Sequence, residues 1–214
     1  MTLGEIGRGI GADMVEKKRI TLIIPPSIFL ADARVFVSLG ILKVAAVLEK
    51  AKYPVDVLDL SGISNYTDVV DNYFQNSDAK VAGITATTPQ MPAVENIYQT
   101  IRNVSRETLV ILGGPHATVV NAARKLEVKK GIVGRAHKAY KRLFSIADIV
   151  VAGDGEEAIF EAIKRSQASS GKLRQSGSLV DADDPASNMF LDKHRLSELP
   201  PPARHLIDLN SYHY

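Results

Sequence analysis

Thr85, Thr87 and Thr88 place three hydroxyls directly after an apolar run, where together with backbone amides they could hydrogen-bond a phosphate or an amide. The same threonines could equally cap a following helix. Gly113-Gly114 follows another apolar run and removes two side chains, which suits either the close approach of a ligand or a tight turn. Pro115 and His116 come next, and the imidazole is placed to donate to a ligand or to a neighbouring structural group. Gly153-Asp154-Gly155-Glu156-Glu157-Ala158 fits G-x-G-x-x-A, the pattern of a dinucleotide-binding turn, and Asp181 could pose as its ribose-binding acid. Electrostatics oppose that use. Asp154, Glu156 and Glu157 suit the positive end of a helix dipole but repel the pyrophosphate that would sit there. The pattern also belongs to the first strand of its unit, whereas here it follows the fifth.

Other chemistries lack their residues. The 214-residue sequence has no cysteine, which removes disulfides, thiolate nucleophiles and thiolate-held clusters from this chain. His116, His137, His194, His205 and His213 are scattered, and no carboxylate pair, serine–histidine–acid set or metal cluster follows from spacing. No catalytic residue and no metal ligand is therefore named.

The candidate residues need elements to hold them. Residues 19–24, 55–60, 81–85, 109–112 and 148–152 are short apolar runs that read as buried strands. Residues 37–50, 66–75, 92–104, 117–126 and 156–166 carry helical patterns between and after them. This alternation predicts an α/β fold: a doubly wound, flavodoxin-like Rossmann sheet, mostly parallel, with helices on both faces. Five strands in the order 2-1-3-4-5 are expected, with right-handed crossovers. Ligands of such sheets bind beyond the carboxyl ends of the strands, near the switch in strand order. Residues 25–34, 85–89, 113–118 and 153–157 occupy that edge.

Two segments depart from the rhythm. Residues 124–142 contain eight Lys or Arg against one acid, Glu127, and read as a solvated face or as a grip for an anion or partner. Residues after 167 are loop-like, including Ser169-Ser170-Gly171 and one short strand at 178–180, before Pro200-Pro201-Pro202 forms a stiff spacer. The formal net charge of +2 calls for neither nucleic acid nor a membrane surface, and no run approaches the roughly 18 apolar residues of a membrane span. Residues 1–20 lack the apolar centre of a secretory signal, so a cytoplasmic location is expected.

Three stretches, taken in order, resemble a known family. Val81-Ala-Gly-Ile-Thr-Ala-Thr-Thr-Pro89, Val110-Ile-Leu-Gly-Gly-Pro-His-Ala-Thr118 and Asp148-Ile-Val-Val-Ala-Gly-Asp-Gly-Glu-Glu157 are similar to signatures of the cobalamin-binding domain of B12-dependent radical S-adenosylmethionine enzymes. Leu199-Pro-Pro-Pro-Ala-Arg-His-Leu-Ile-Asp208 resembles the segment that joins that domain to its catalytic barrel. The resemblance implies a lead-in at residues 1–18, a cobalamin-binding domain at 19–168, and an extension with proline-rich linker at 169–214 toward a radical SAM barrel in cis. It implies cobalamin at the carboxyl edge of the sheet, its nucleotide tail running beside Gly113-Gly114. Pro26, Ser27 and Arg34 would approach the corrin face; Thr85, Ala86, Thr87, Thr88, Gly113, Gly114, Pro115 and His116 would meet the tail. Gly153, Asp154, Gly155 and Glu156 would meet the ring edge, where acids accept from corrin amides.

Two departures refine the resemblance. The D-x-H-x-x-G of methionine-synthase-like cobalamin domains is missing from residues 25–34, and Asp192-Lys193-His194 lies in the tail without the glycine. No protein histidine is therefore expected as lower cobalt ligand. The C-x-x-x-C-x-x-C that holds the [4Fe-4S] cluster is also absent, so cluster and S-adenosylmethionine would belong to a missing domain, and this piece would bind cofactor without catalysing alone. The alternatives are a nucleotide- or flavin-binding domain built on residues 153–158, and a fold relative that has lost cobalamin. A phospho-receiver is disfavoured, because prolines and threonines stand where its acids would be.

Overall fold

The computed structural model describes residues 17–27, 29–30, 32–168 and 177–213. Most of the expected lead-in and the Ser169-Ser170-Gly171 loop lie outside the described residues.

Six strands form one sheet in the order β2-β1-β3-β4-β5-β6. They are β1 (Ile20–Ile24), β2 (Val55–Asp59), β3 (Val81–Thr85), β4 (Leu109–Gly113), β5 (Ile149–Ala152) and β6 (Ser178–Asp181). Every pairing is parallel. The sixth strand corrects the expected count of five. The short strand expected at 178–180 forms, one residue longer, and instead of standing outside the sheet it pairs in register with β5 and buries Val180 completely.

Strand side chains alternate between the faces, and here both faces are covered. Ile20, Leu22, Ile24, Val81, Ile111, Ile149 and Val151 share one core with α1 (Leu39–Lys50) and α6 (Gly155–Ala168). Ile23, Ala82, Ile84, Val110, Leu112 and Val150 face a second core, with α2 (Tyr66–Asn76), α3 (Met91–Val104) and α4 (Pro115–Lys129). The unbroken burial of β1 follows from this, since a strand covered twice has no polar side to show.

The basic stretch folds as the end of α4, a turn, and α5 (Arg135–Leu143). Glu127 organises it: its carboxylate accepts the amides of Gly134, Ala136 and His137 at 3.1, 2.9 and 2.8 Å, supplying the cap that α5 lacks in its own sequence. Those amide bonds, Ala136's foremost, hold the Glu127 carboxyl below its ordinary range. Lys125 pairs with Asp181, Arg142 with Glu95, and Arg124 lies over the Tyr140 ring.

After β6 the chain turns back across the α1–α6 face, through α7 (Lys193–Glu198) and two single turns. Beyond the proline run, Ala203 is buried and donates its amide to Leu42 O at 3.0 Å, laying this segment along α1. It ends at the tip of β2, where Tyr212 is buried and donates its hydroxyl to Asp59 Oδ2 at 2.6 Å.

Candidate functional site

The carboxyl ends of β1, β3, β4 and β5 surround a cavity of about 490 Å³, closed laterally by α1 and the first turns of α4 and α6. Its deep walls are apolar: Leu22, Ile41, Val44, Ile111, Val151 and Ile159. Its rim is the backbone of two glycine turns, with Thr85, Thr118, Asp154, Glu156 and Asp183 around it.

The turn after β4 cannot carry a side chain. Gly114 sits at φ +92°, and a Cβ there would fall 2.6 Å from Thr85 Oγ1 and 2.7 Å from Ala86 N. The β3 and β4 loops are laced together at this point: Ala86 donates its amide to Gly113 O and accepts the His116 amide, at 3.1 and 2.9 Å. The turn after β5 is equally tight. Gly153 has φ +91°, and a Cβ would lie 2.5 Å from Asp183 N, on the segment that follows β6. Thr118 Oγ1 accepts the Gly153 amide at 2.9 Å and so joins the two turns.

Eight residues of the expected site line this cavity: Thr85, Gly113, Gly114, Pro115, Gly153, Asp154, Gly155 and Glu156. The others lie nearby or elsewhere. Thr87 gives its amide to Gln90 Oε1 at 2.9 Å, and Gln90 reaches across to Pro25 O at 2.8 Å, so this threonine starts the helical turn before α3. Thr88 Oγ1 is 2.9 Å from His116 Nδ1, and burial pushes the imidazole below its ordinary pKa, keeping it neutral at pH 7. Pro26, in the loop after β1, is buried, and Ser27 O accepts the Leu30 amide at 3.3 Å.

Arg34 is already engaged. Its Nε donates to Ser61 O at 2.9 Å, its guanidinium bonds Ser211 and lies 3.8 Å from Asp59, and its carbonyl accepts the His213 amide at 3.0 Å. The side chain pins the β1–α1 loop to the end of β2 and to the C-terminal segment.

No Lys, Arg or His is among the described residues that line the cavity, while three acids are. Glu156 is only 7% exposed. Burial raises its pKa and the charge of Asp154 adds to the rise, although the N-terminus of α6 favours an anion. A phosphate placed against Asp154 and Glu156 would meet repulsion and no cation in the lining itself, the charge of Lys43 reaching Glu156 from outside it. An uncharged, flat, apolar group meets matching walls, and amide or hydroxyl donors at the rim meet carboxylates. Among the described residues no group of His, Cys, Asp or Glu could hold a metal.

Sequence reasoning missed the apolar walls and Thr118 as site residues, although Leu22, Ile111 and Val151 alternate with residues of the opposite core and could have been assigned by face. Nothing in the sequence marks Asp183 or Phe190, which reach the cavity from beyond β6.

No curated protein matches the chain in sequence. Among solved structures, the radical S-adenosylmethionine methyltransferase TsrM from Kitasatospora setae, with tryptophan substrate and a SAM analog (aza-SAM) bound, aligns at a TM-score of 0.50 and 17% identity. The alignment covers 71% of this chain and 26% of that one. The same enzyme with cobalamin and a [4Fe-4S] cluster bound aligns at 0.49 and 18%, over 71% and 25% of the two chains. The chain thus spans about a quarter of the length of these structures, and the first likeness establishes the shared α/β fold. A family model described as the B12 binding domain matches residues 32–144, more than half of the 214. With a parallel sheet, a glycine-edged cavity at its carboxyl end and this match, the chain belongs to the B12-binding domain family.

Proposed function

We propose that the chain is the cobalamin-binding module of a radical S-adenosylmethionine enzyme of methyltransferase or cyclase type. The observation that carries this reading is the cavity: about 490 Å³, apolar in depth, free of cations among its described lining, and rimmed by glycine backbone. These features fit the aromatic base and ribose of a cobalamin nucleotide tail. Leu22, Val44 and Ile159 would flank the base, and the Gly113–Gly114 backbone would lie along the tail. Asp154 and Glu156 would accept hydrogen bonds from corrin amides, which a carboxylate does better than a neutral acceptor.

Bound cobalamin would supply methyl transfer or shape the site for radical chemistry; this chain's residues bind and orient it. No histidine is assigned to the lower cobalt face, since His116 is turned to Thr88. A radical SAM barrel in cis is proposed to hold the cluster and S-adenosylmethionine, since this sequence, without cysteine, supplies no thiolate for the cluster. No helix among the described residues is long and apolar enough to cross a membrane. The nucleotide-binding alternative is disfavoured by the buried Glu156 at the turn where a pyrophosphate would bind.

The test is co-elution of hydroxocobalamin with the purified chain on gel filtration. Retention of stoichiometric corrin supports the reading, and Gly114→Val, which fills the turn, abolishes it. Elution of the chain without corrin contradicts it.

A further inference from the structure

Several cavity residues lie outside the residues 32–144 that match the family, and the most distant in sequence follows β6. Phe190 lines the cavity, yet it belongs to the segment after β6. Its backbone is held from both ends. The amide donates to Ser187 O at 3.1 Å, and the carbonyl accepts Arg195 Nη1 at 2.8 Å.

Arg195 is the fastening. The same Nη1 also bonds Asn188 O at 2.8 Å, and Nη2 lies 3.3 Å from Glu157 Oε1, in the first turn of α6 beside Glu156. Asp192 Oδ1 accepts the Arg195 amide at 2.9 Å and fixes the start of α7. Met189, one position before Phe190, packs against the α1–α6 core, and Leu191 on the other side is buried. A half-buried aromatic on a turn held at this many points presents its free surface to the cavity with little conformational freedom left to lose on binding.

We propose that Phe190 is a specificity-determining contact for the aromatic base of the cofactor's nucleotide tail, and that Arg195 is the positioning residue that fixes it. The proposal rests on the cobalamin reading above. It makes the segment after β6 part of the binding site. A flat base and an aromatic side chain gain by offset or edge contact beyond simple area burial, and the apolar walls opposite leave the base no competing polar partner.

Equilibrium dialysis of the whole chain against hydroxocobalamin and against cobinamide, which lacks the tail, tests it. Phe190→Ala weakens cobalamin binding about tenfold, within the range for loss of one aromatic–base contact, and leaves cobinamide binding unchanged. Arg195→Ala shifts the ratio of the two affinities in the same direction, and Phe190→Tyr retains the wild-type ratio. Equal weakening toward both ligands overturns the proposal, because it marks a general structural role. Unchanged cobalamin binding by Phe190→Ala, with wild type binding normally, overturns it while the cobalamin reading stands. Failure of wild type to bind cobalamin removes both.

Discussion

Thr118 and Gly153 join the two halves of the cavity rim. The Thr118 hydroxyl accepts the Gly153 amide at 2.9 Å and donates to Gly114 O at 3.2 Å, so one side chain on α4 sets the spacing of both glycine turns. Thr118→Val keeps the shape and removes the acceptor. Leaving the Gly153 amide without a partner costs about 1–3 kcal/mol. Urea unfolding is expected to show a lowered midpoint for the valine variant and near wild-type behaviour for Thr118→Ser.

The glycine turns themselves are sterically determined. At Gly114 and Gly153 both the positive φ and the blocked Cβ positions exclude other residues. Gly153→Ala therefore strains the backbone and pushes against the Ala182–Asp183 peptide. The expected destabilisation exceeds about 1 kcal/mol, readable as a fall in melting temperature. Gly131→Ala is the comparison: its φ is +66° but nothing lies within 4 Å, so only the conformational part of the cost remains.

Glu156 makes stability depend on pH in a direction opposite to that of most carboxylates. Its folded pKa is raised above the ordinary 4.5, by burial first and by Asp154 second. The folded state then holds the proton where the unfolded state has released it. The contribution is favourable below the unfolded pKa and is lost as pH rises through the folded one. Glu156→Gln removes this penalty. At pH 7 its melting temperature should exceed that of wild type. The gap should close as pH falls below 4.5, and thermal melts across that range measure it.

Tyr212 ties the C-terminal segment to the sheet. Burial, with the hydrogen bond to Asp59 second, pushes its pKa up to about 12, so the phenol stays a donor throughout the physiological range. Tyr212→Phe removes a hydrogen bond to a carboxylate whose remaining partners are the Ser61 amide and Arg34. The cost is about 1.5–3 kcal/mol. A double-mutant cycle with Asp59→Asn is expected to show strong coupling, since the two groups touch.

Much of the sheet was legible because its signal is local. β3 runs from Val81 to Thr85 as the apolar run and the threonines after it suggest, and Gly113-Gly114 marks where β4 must stop. The edge loops then follow from topology, which is why Thr85, Gly114 and Glu156 were assignable. The remainder depends on distance. Of the two roles the sequence leaves open to Thr87 and Thr88, ligand donor or helix cap, Thr87 takes the cap with Gln90, while Thr88 turns to His116. Arg34 meets Ser211 across 177 positions, and no local pattern announces such a pair. The strand at 178–180 is legible locally, but its place as the sixth strand of the sheet comes only from pairing with β5.

The most direct test of the cobalamin reading is the visible spectrum of the chain after titration with hydroxocobalamin and desalting. The account predicts retained corrin absorbance with the dimethylbenzimidazole off the cobalt and in the cavity, and no histidine coordination. A histidine-coordinated spectrum would contradict the assignment of the lower face, and loss of all corrin on desalting would contradict the binding role itself.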